Sequence, residues 1–168
     1  MMMVMGFPRQ ALAAFAALAL AACGGEAAQE EAQQPVAETA SNAHPVSGLE
    51  VIPVTLDTAD GEHVIQAEVA ATPQEQSRGL MFRQELGPDE GMIFPKSPVQ
   101  PLSFWMRNTV IPLDLIFIDE NRQVINIEQG EPYNETPIES DRPGIAVLEL
   151  AAGRSEELGL APGDSVEW

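Results

Sequence analysis

Between Ser103 and Asp119 the chain gathers residue types that recognise ligands: Trp105, Arg107, Asn108 and Asp114 fall in one short run, SFWMRNTVIPLDLIFID. An indole offers a flat face for stacking. A guanidinium offers a fork of donors, an amide both donors and an acceptor, and a carboxylate only acceptors. Arg78 and Arg83, in the earlier run SRGLMFR, add two more forks. Stacking combined with convergent hydrogen bonds is how proteins hold sugars and other small polar molecules. A plainer reading stands beside this one. Asn108 and Asp114 flank a turn at Ile111-Pro112, where each can satisfy backbone groups, and Trp105 can anchor a small core. Buried polar groups need partners, so the run is either a structural knot or the lining of a site.

Other chemistries are poorly supplied. Cys23 is the single cysteine, the two histidines are His44 and His63, and no G-x-S-x-G occurs. A cysteine or serine nucleophile with its histidine therefore lacks parts, and so does a zinc site. Two-carboxylate hydrolysis of an envelope polysaccharide is the alternative, through Glu68, Asp114 or Glu149; among 26 acidic residues such pairs are easily nominated. Met81, Met92 and Met106 could together offer thioethers to Cu(I) beside Trp105, although methionine more often fills gaps in a core. The expectation is a binding module rather than an enzyme, with no cofactor and no metal.

Short strands must carry these residues. Leu49 to Leu56 reads as a strand that Pro53 confines to an edge or bulge. Asp60-Gly61 is a hairpin signal, and Ile65, Ala67 and Val69 alternate with Glu62, Gln66 and Glu68 in the partner strand. Thr72-Pro73-Gln74-Glu75 is a capping box with proline at the first helical position, predicting a helix of about two turns that ends at Gly79. On it Glu75 and Arg78 are spaced to pair. Met92-Ile93-Phe94 reads as a short strand and the proline-rich Pro95 to Pro101 as a rigid loop. Leu115 to Ile118 is an apolar run expected to be buried on both faces. Gln123 to Ile127 returns from it, and 130–144 forms a long polar loop. Ile145 to Leu150 is a strand, Ser155 caps a one-turn helix, and Ser165 to Trp168 is the last strand. The class expected is mostly β (α+β): a small antiparallel sandwich or partly open β-barrel with one or two short helices.

Glu75, Arg78-Gly79-Leu80-Met81-Phe82-Arg83, Gly91-Met92-Ile93-Phe94, the motif FWMRNT-x-IPLD, Leu148-Glu149-Leu150 and Pro162-Gly163-Asp164 together resemble the DUF192 family, over roughly Val64 to Trp168. The resemblance implies a small, mostly β domain. It implies no reaction, because the family has no established activity.

The N-terminus carries an address. Residues 1–22 have a short head with Arg9 and an alanine-leucine run, too short for the about 20 apolar residues that span a bilayer, and they read as a signal peptide. Leu20-Ala21-Ala22-Cys23 has the form of a bacterial lipobox, which predicts lipidation at Cys23 and firm anchoring through several acyl chains. Gly24 in the next position resembles outer-membrane sorting. Residues 23–47, rich in Ala, Glu, Gln and Pro, read as a flexible tether, and 48–168 as a single domain. The formal net charge of −18 argues against nucleic acid and anionic headgroups as partners. The expected partner is a small polar molecule or an envelope component, met by a monomer that touches the membrane only through its lipid anchor and faces the periplasm.

Overall fold

The computed structural model describes residues 42–168; the expected signal peptide, Cys23 and most of the expected tether lie outside them. In chain order the elements are β1 (Val51–Thr58), β2 (Gly61–Val69), α1 (Pro73–Arg78), β3 (Glu90–Gln100), β4 (Ser103–Phe104), β5 (Leu113–Ile118), β6 (Val124–Gly130), β7 (Ile138–Glu139), β8 (Gly144–Ala151), α2 (Arg154–Glu157) and β9 (Ser165–Glu167). Seven strands form one sheet in the order β6-β5-β8-β3-β2-β1-β9, and β4 pairs with β7 separately. The domain is mostly β with two short helices, as expected. The sheet is mixed and does not close into a barrel; a single bridge, Gln123 to Ser165, links the start of β6 to β9 across the seam.

The hairpin of β1 and β2 turns through Ala59-Asp60, with Thr58 opposite Gly61, so that Gly61 of the expected Asp60-Gly61 signal opens β2. Pro53 lies on the stretch of β1 beyond its short pairing with β9, which covers Thr55 to Asp57, so its missing N–H interrupts no ladder there. One pairing departs from an all-antiparallel sheet: β2 and β3 run parallel. Parallel neighbours need a crossover, and the segment carrying α1 supplies it.

Alternation along the central strands fills two apolar clusters. Ile93 of β3, Ile116 and Ile118 of β5, and Leu148 and Leu150 of β8 point into a core shared with Val54, Leu56, Ile65 and Val166. Met92, Phe94, Leu113, Leu115, Phe117 and Val147 point the other way, into a second core roofed by Leu80, Leu102 and Met106. Strand β5 is buried along its whole length, as its uninterrupted apolar run requires.

Four local expectations are corrected. The proline-rich stretch is not a loop: β3 continues to Gln100, and its register against β8 shifts between Pro95 and Gln100, so a bulge absorbs the residues that cannot donate. The long loop before β8 contains β7. Glu75 does not pair with Arg78; its carboxylate takes the amides of Ala71 and Thr72, at 2.9 and 2.7 Å, as the return half of the capping box. Ser155 is not the cap of α2, whose N-cap is Gly153 in the left-handed region without a side-chain bond. Pairing begins ahead of β1. Ala43 bridges to Glu50, and Asn42 accepts from the Val51 amide at 2.7 Å.

Gly144 begins β8 where no side chain fits: a Cβ there would lie 2.5 Å from the Ile118 carbonyl oxygen and 2.8 Å from Leu102 Cδ1. Gly144→Ala should cost about 1–3 kcal/mol, as overpacking against backbone does. Urea unfolding would show this as a lower midpoint with an unchanged slope.

Candidate functional site

The residues of the FWMRNT segment part company in the fold. Trp105 and Arg107 reach the surface, with Trp105 50% exposed and the Arg107 guanidinium 5.8 Å from its ring centroid. Asp114 goes the other way. It is buried in β5, and its two oxygens accept the amides of Gly153 and Ser155 at 3.0 and 2.9 Å. It therefore does for α2 what Ser155 was expected to do, from a distant strand. Asn108 sits at φ 55, its carbonyl accepts the Phe82 amide at 2.9 Å, and its side chain lies 3.8 Å from Met81 Sδ.

Three loops are laced together around this point. Besides the Phe82 to Asn108 bond, the Tyr133 amide donates to Thr109 at 3.1 Å and the Met106 amide donates to Asn134 at 2.8 Å. Phe82, Asn108 and Tyr133 all have φ between 55 and 63. Backbone held in the left-handed region by a non-glycine residue costs energy and persists only where the surroundings over-determine it. The lacing supplies that determination. It leaves Phe82, Trp105 and Tyr133 with their rings exposed, at 60, 50 and 63%.

Beneath Trp105 is a cavity of about 500 Å³, bounded by α1, β3, β4 and the 105–109 loop. Phe104 forms part of its lining and packs edge-on against Phe94, at 5.1 Å, and Phe117, at 6.4 Å. The capping box starts α1 at Pro73, and above all the Thr72 amide holds the Glu75 carboxyl below the usual carboxylate range. From this helix Gln76, Ser77 and Arg78 reach the cavity. Gln76 is fixed by bonds from its amide nitrogen to the carbonyls of Ala70 and Pro95, at 3.1 and 2.9 Å. Its oxygen then accepts from Lys96 Nζ at 2.7 Å, and the ammonium stands 5.4 Å from the Phe104 ring centroid. Burial lowers the Lys96 pKa.

Cations are distributed unevenly. Arg83, Arg122, Arg142 and Arg154 each form an ion pair with a carboxylate. Arg78, Lys96 and Arg107 have no carboxylate partner among the described residues, and all three line this cavity.

One acid lines it as well. Glu149 of β8 is 5% exposed, with Met92 of β3 and Leu115 of β5 as its cross-strand neighbours. No described residue gives its carboxylate a hydrogen bond or an ion pair, and burial pushes its pKa up to about 8. Among the described residues lining the cavity it is the one carboxylate, so a two-acid mechanism finds no second acid there.

Of the residues singled out in the sequence, Arg78, Trp105 and Arg107 meet at this cavity. Asn108 and Asp114 serve the backbone. Arg83 points elsewhere, bonding Glu68 at 2.7 Å and His44 Nε2 at 3.3 Å, beside a second groove of about 550 Å³. Met92 and Met106 are packed in the second core, while Met81 lies at the Asn108 turn. Lys96 and Gln76 were missed, Lys96 because it lay in a presumed loop. Glu149 had a visible signal, a charge in the middle of the apolar strand Leu148-Glu149-Leu150.

A neutral acid in the fold that ionises when unfolded ties stability to pH. Glu149 is protonated in the native state up to about 8, against an ordinary value of 4.5, so its contribution is complete below 4.5 and is lost as pH rises toward 8. Stability should fall by on the order of a few kcal/mol between pH 5 and pH 8, and Glu149→Gln should flatten the decline. Denaturant midpoints at a series of pH values measure both.

The DUF192 family model, described as "Uncharacterized ACR", matches residues 54–168. A solved structure of a protein of unknown function from Novosphingobium aromaticivorans is 53% identical, with a TM-score of 0.73, over 75% of this chain and 91% of that one. Another, from Sinorhizobium meliloti and described as a candidate transcription regulator, is 39% identical, with a TM-score of 0.68, over 71% of this chain and 94% of that one. No curated protein matches significantly.

Proposed function

Since the chain belongs to the DUF192 family, which brings no reaction with it, we propose from the site's own chemistry that the domain is a binding module for a small polar ligand bearing negative charge, a sugar acid being the class that fits best. One observation carries this reading. In a chain of net charge −18, the three cations without a carboxylate partner among the described residues are the ones lining a single cavity. Cations left unpaired among so many acids are available to an incoming anion. The half-exposed Trp105 ring offers an apolar sugar face something to stack on, and Gln76 and Ser77 add hydrogen-bonding groups for hydroxyls.

The cell envelope is the setting we propose, on the strength of the leader and the Leu20-Ala21-Ala22-Cys23 sequence. The module would be lipidated at Cys23 and face the periplasm, at the outer membrane by the residue next to it, Gly24. Direct nucleic-acid binding is disfavoured here, because a strongly acidic chain is repelled by a phosphate backbone.

Trp105 reports occupancy directly once Trp168, which stacks on Arg122 at 3.9 Å, is changed to Phe. In the purified full-length protein, glucuronate and galacturonate should change Trp105 emission saturably, while glucose and galactose at equal concentration should not. Arg107→Ala or Lys96→Ala should weaken the acidic sugars about tenfold or more, the loss expected from one charge-assisted hydrogen bond. Equal responses to acidic and neutral sugars, or none to either, would show the reading to be wrong.

A further inference from the structure

Glu149 is the polar group that the cavity's cations leave unexplained. It is buried, has no partner among the described residues, and borders the space that the anion would enter. An ionised carboxylate there would repel the ligand that Arg78, Lys96 and Arg107 attract. A protonated one has an O–H to donate to an oxygen that enters the cavity.

We propose that the cavity binds its anion with the Glu149 carboxyl in its protonated form, whose O–H donates to an oxygen of the bound ligand. The inference rests on the sugar-acid reading and adds the protonation state of the complex. In the balance, one solvent proton occupies Glu149, the ligand remains an anion neutralised by the flanking cations, and no covalent bond changes.

The surroundings support this assignment from each side. Across β3 the neighbour of Glu149 is Met92, and across β5 it is Leu115, so neither adjacent strand offers a charge directly opposite. The charged groups sharing the cavity are Lys96 from further along β3, Arg78 from the end of α1 and Arg107 from the loop after β4. Burial already favours the neutral acid in the free protein, raising its pKa to about 8. A bound anion favours it further, because the ionised form would then face a like charge. Lys96 is the one competing source of pH dependence in this set, since losing its proton also weakens anion binding.

The test measures glucuronate affinity by Trp105 emission between pH 6 and pH 9.5 in the Trp168→Phe background, a range in which the sugar acid stays ionised. Affinity should hold steady below about pH 7 and then fall toward tenfold per pH unit above the Glu149 pKa. Lys96→Arg, which cannot lose its proton in this range, should keep the fall, whereas adding Glu149→Gln to Lys96→Arg should remove it. In the wild-type chain, carboxyl ¹³C NMR should show the Glu149 titration moving to higher pH when glucuronate is saturating. That measurement stands even if the glutamine variant fails to fold. A fall that survives when Lys96→Arg and Glu149→Gln are combined, disappears in Lys96→Arg alone, or is absent while glucuronate still binds would overturn the proton-coupled inference and leave the sugar-acid reading intact. Failure of glucuronate to bind at any pH, in wild type and Glu149→Gln alike, would remove the sugar-acid reading and this inference with it.

Discussion

Strand β8 has neighbours on both edges and apolar packing on both faces, and the rest of the domain is arranged to keep it dry. Its even-numbered residues Ala146, Leu148 and Leu150 enter one core, while Val147 enters the other. At roughly 25 cal/mol per Å² of apolar surface, such two-sided burial is the principal stabilising term available to a domain of this size. It also dictates where loops go. The first core is shared among strands from β1 to β9 and completed by Leu158 and Leu160 after α2. The second lies on the outer face of β3, β8 and β5 and needs a separate roof, which the segments carrying Leu80, Leu102 and Met106 provide. The cavity is where that roof stops short, and this is why an acid on an otherwise apolar strand looks into it.

The roof is irregular chain, and irregular chain holds functional geometry only if its backbone groups are spoken for. Here Phe82 bonds to Asn108, Tyr133 to Thr109 and Met106 to Asn134, so the loops brace one another. Asp114 and Glu68 perform related tasks elsewhere. Asp114 reaches from β5 to the first amides of α2, and Glu68 ties β2 to Arg83 beyond α1. Each buried acid with a partner holds structure together. Glu149, which has none among the described residues, faces the cavity instead.

What could be read beforehand follows how local each signal is. The α1 capping box, the Asp60-Gly61 hairpin and the apolar run of β5 are specified by residues within one turn or one strand, and all are present in the fold. The chain through Pro95 was misread because proline rules are local while the remedy, a bulge against β8, is not. Asp114 illustrates the same limit: which backbone amides a carboxylate will cap depends on a contact 39 and 41 positions away. Trp105 and Arg107 were identifiable from their types alone. Separating them from their neighbours Asn108 and Asp114 required knowing which way each faced. Lys96 and Gln76 could not have been joined to them, since only the crossover between β2 and β3 brings α1 alongside.

The residues just before β1 bear on how the domain carries load. His44 and Ser47 meet the Glu68 and Arg83 pair, Ser47 donating to the Glu68 carboxylate and Arg83 standing 3.3 Å from His44. Tension arriving along the chain from its N-terminal side therefore reaches this buried ionic clasp before it reaches the ladder of β1 and β2. A force along the strand direction would shear that ladder, many bonds at once, while the clasp, on the side chains of β2 and the segment after α1, diverts part of the pull into the sheet's interior. Loss of the Glu68 carboxylate would thus loosen the chain ahead of β1 and release Arg83 at the same time.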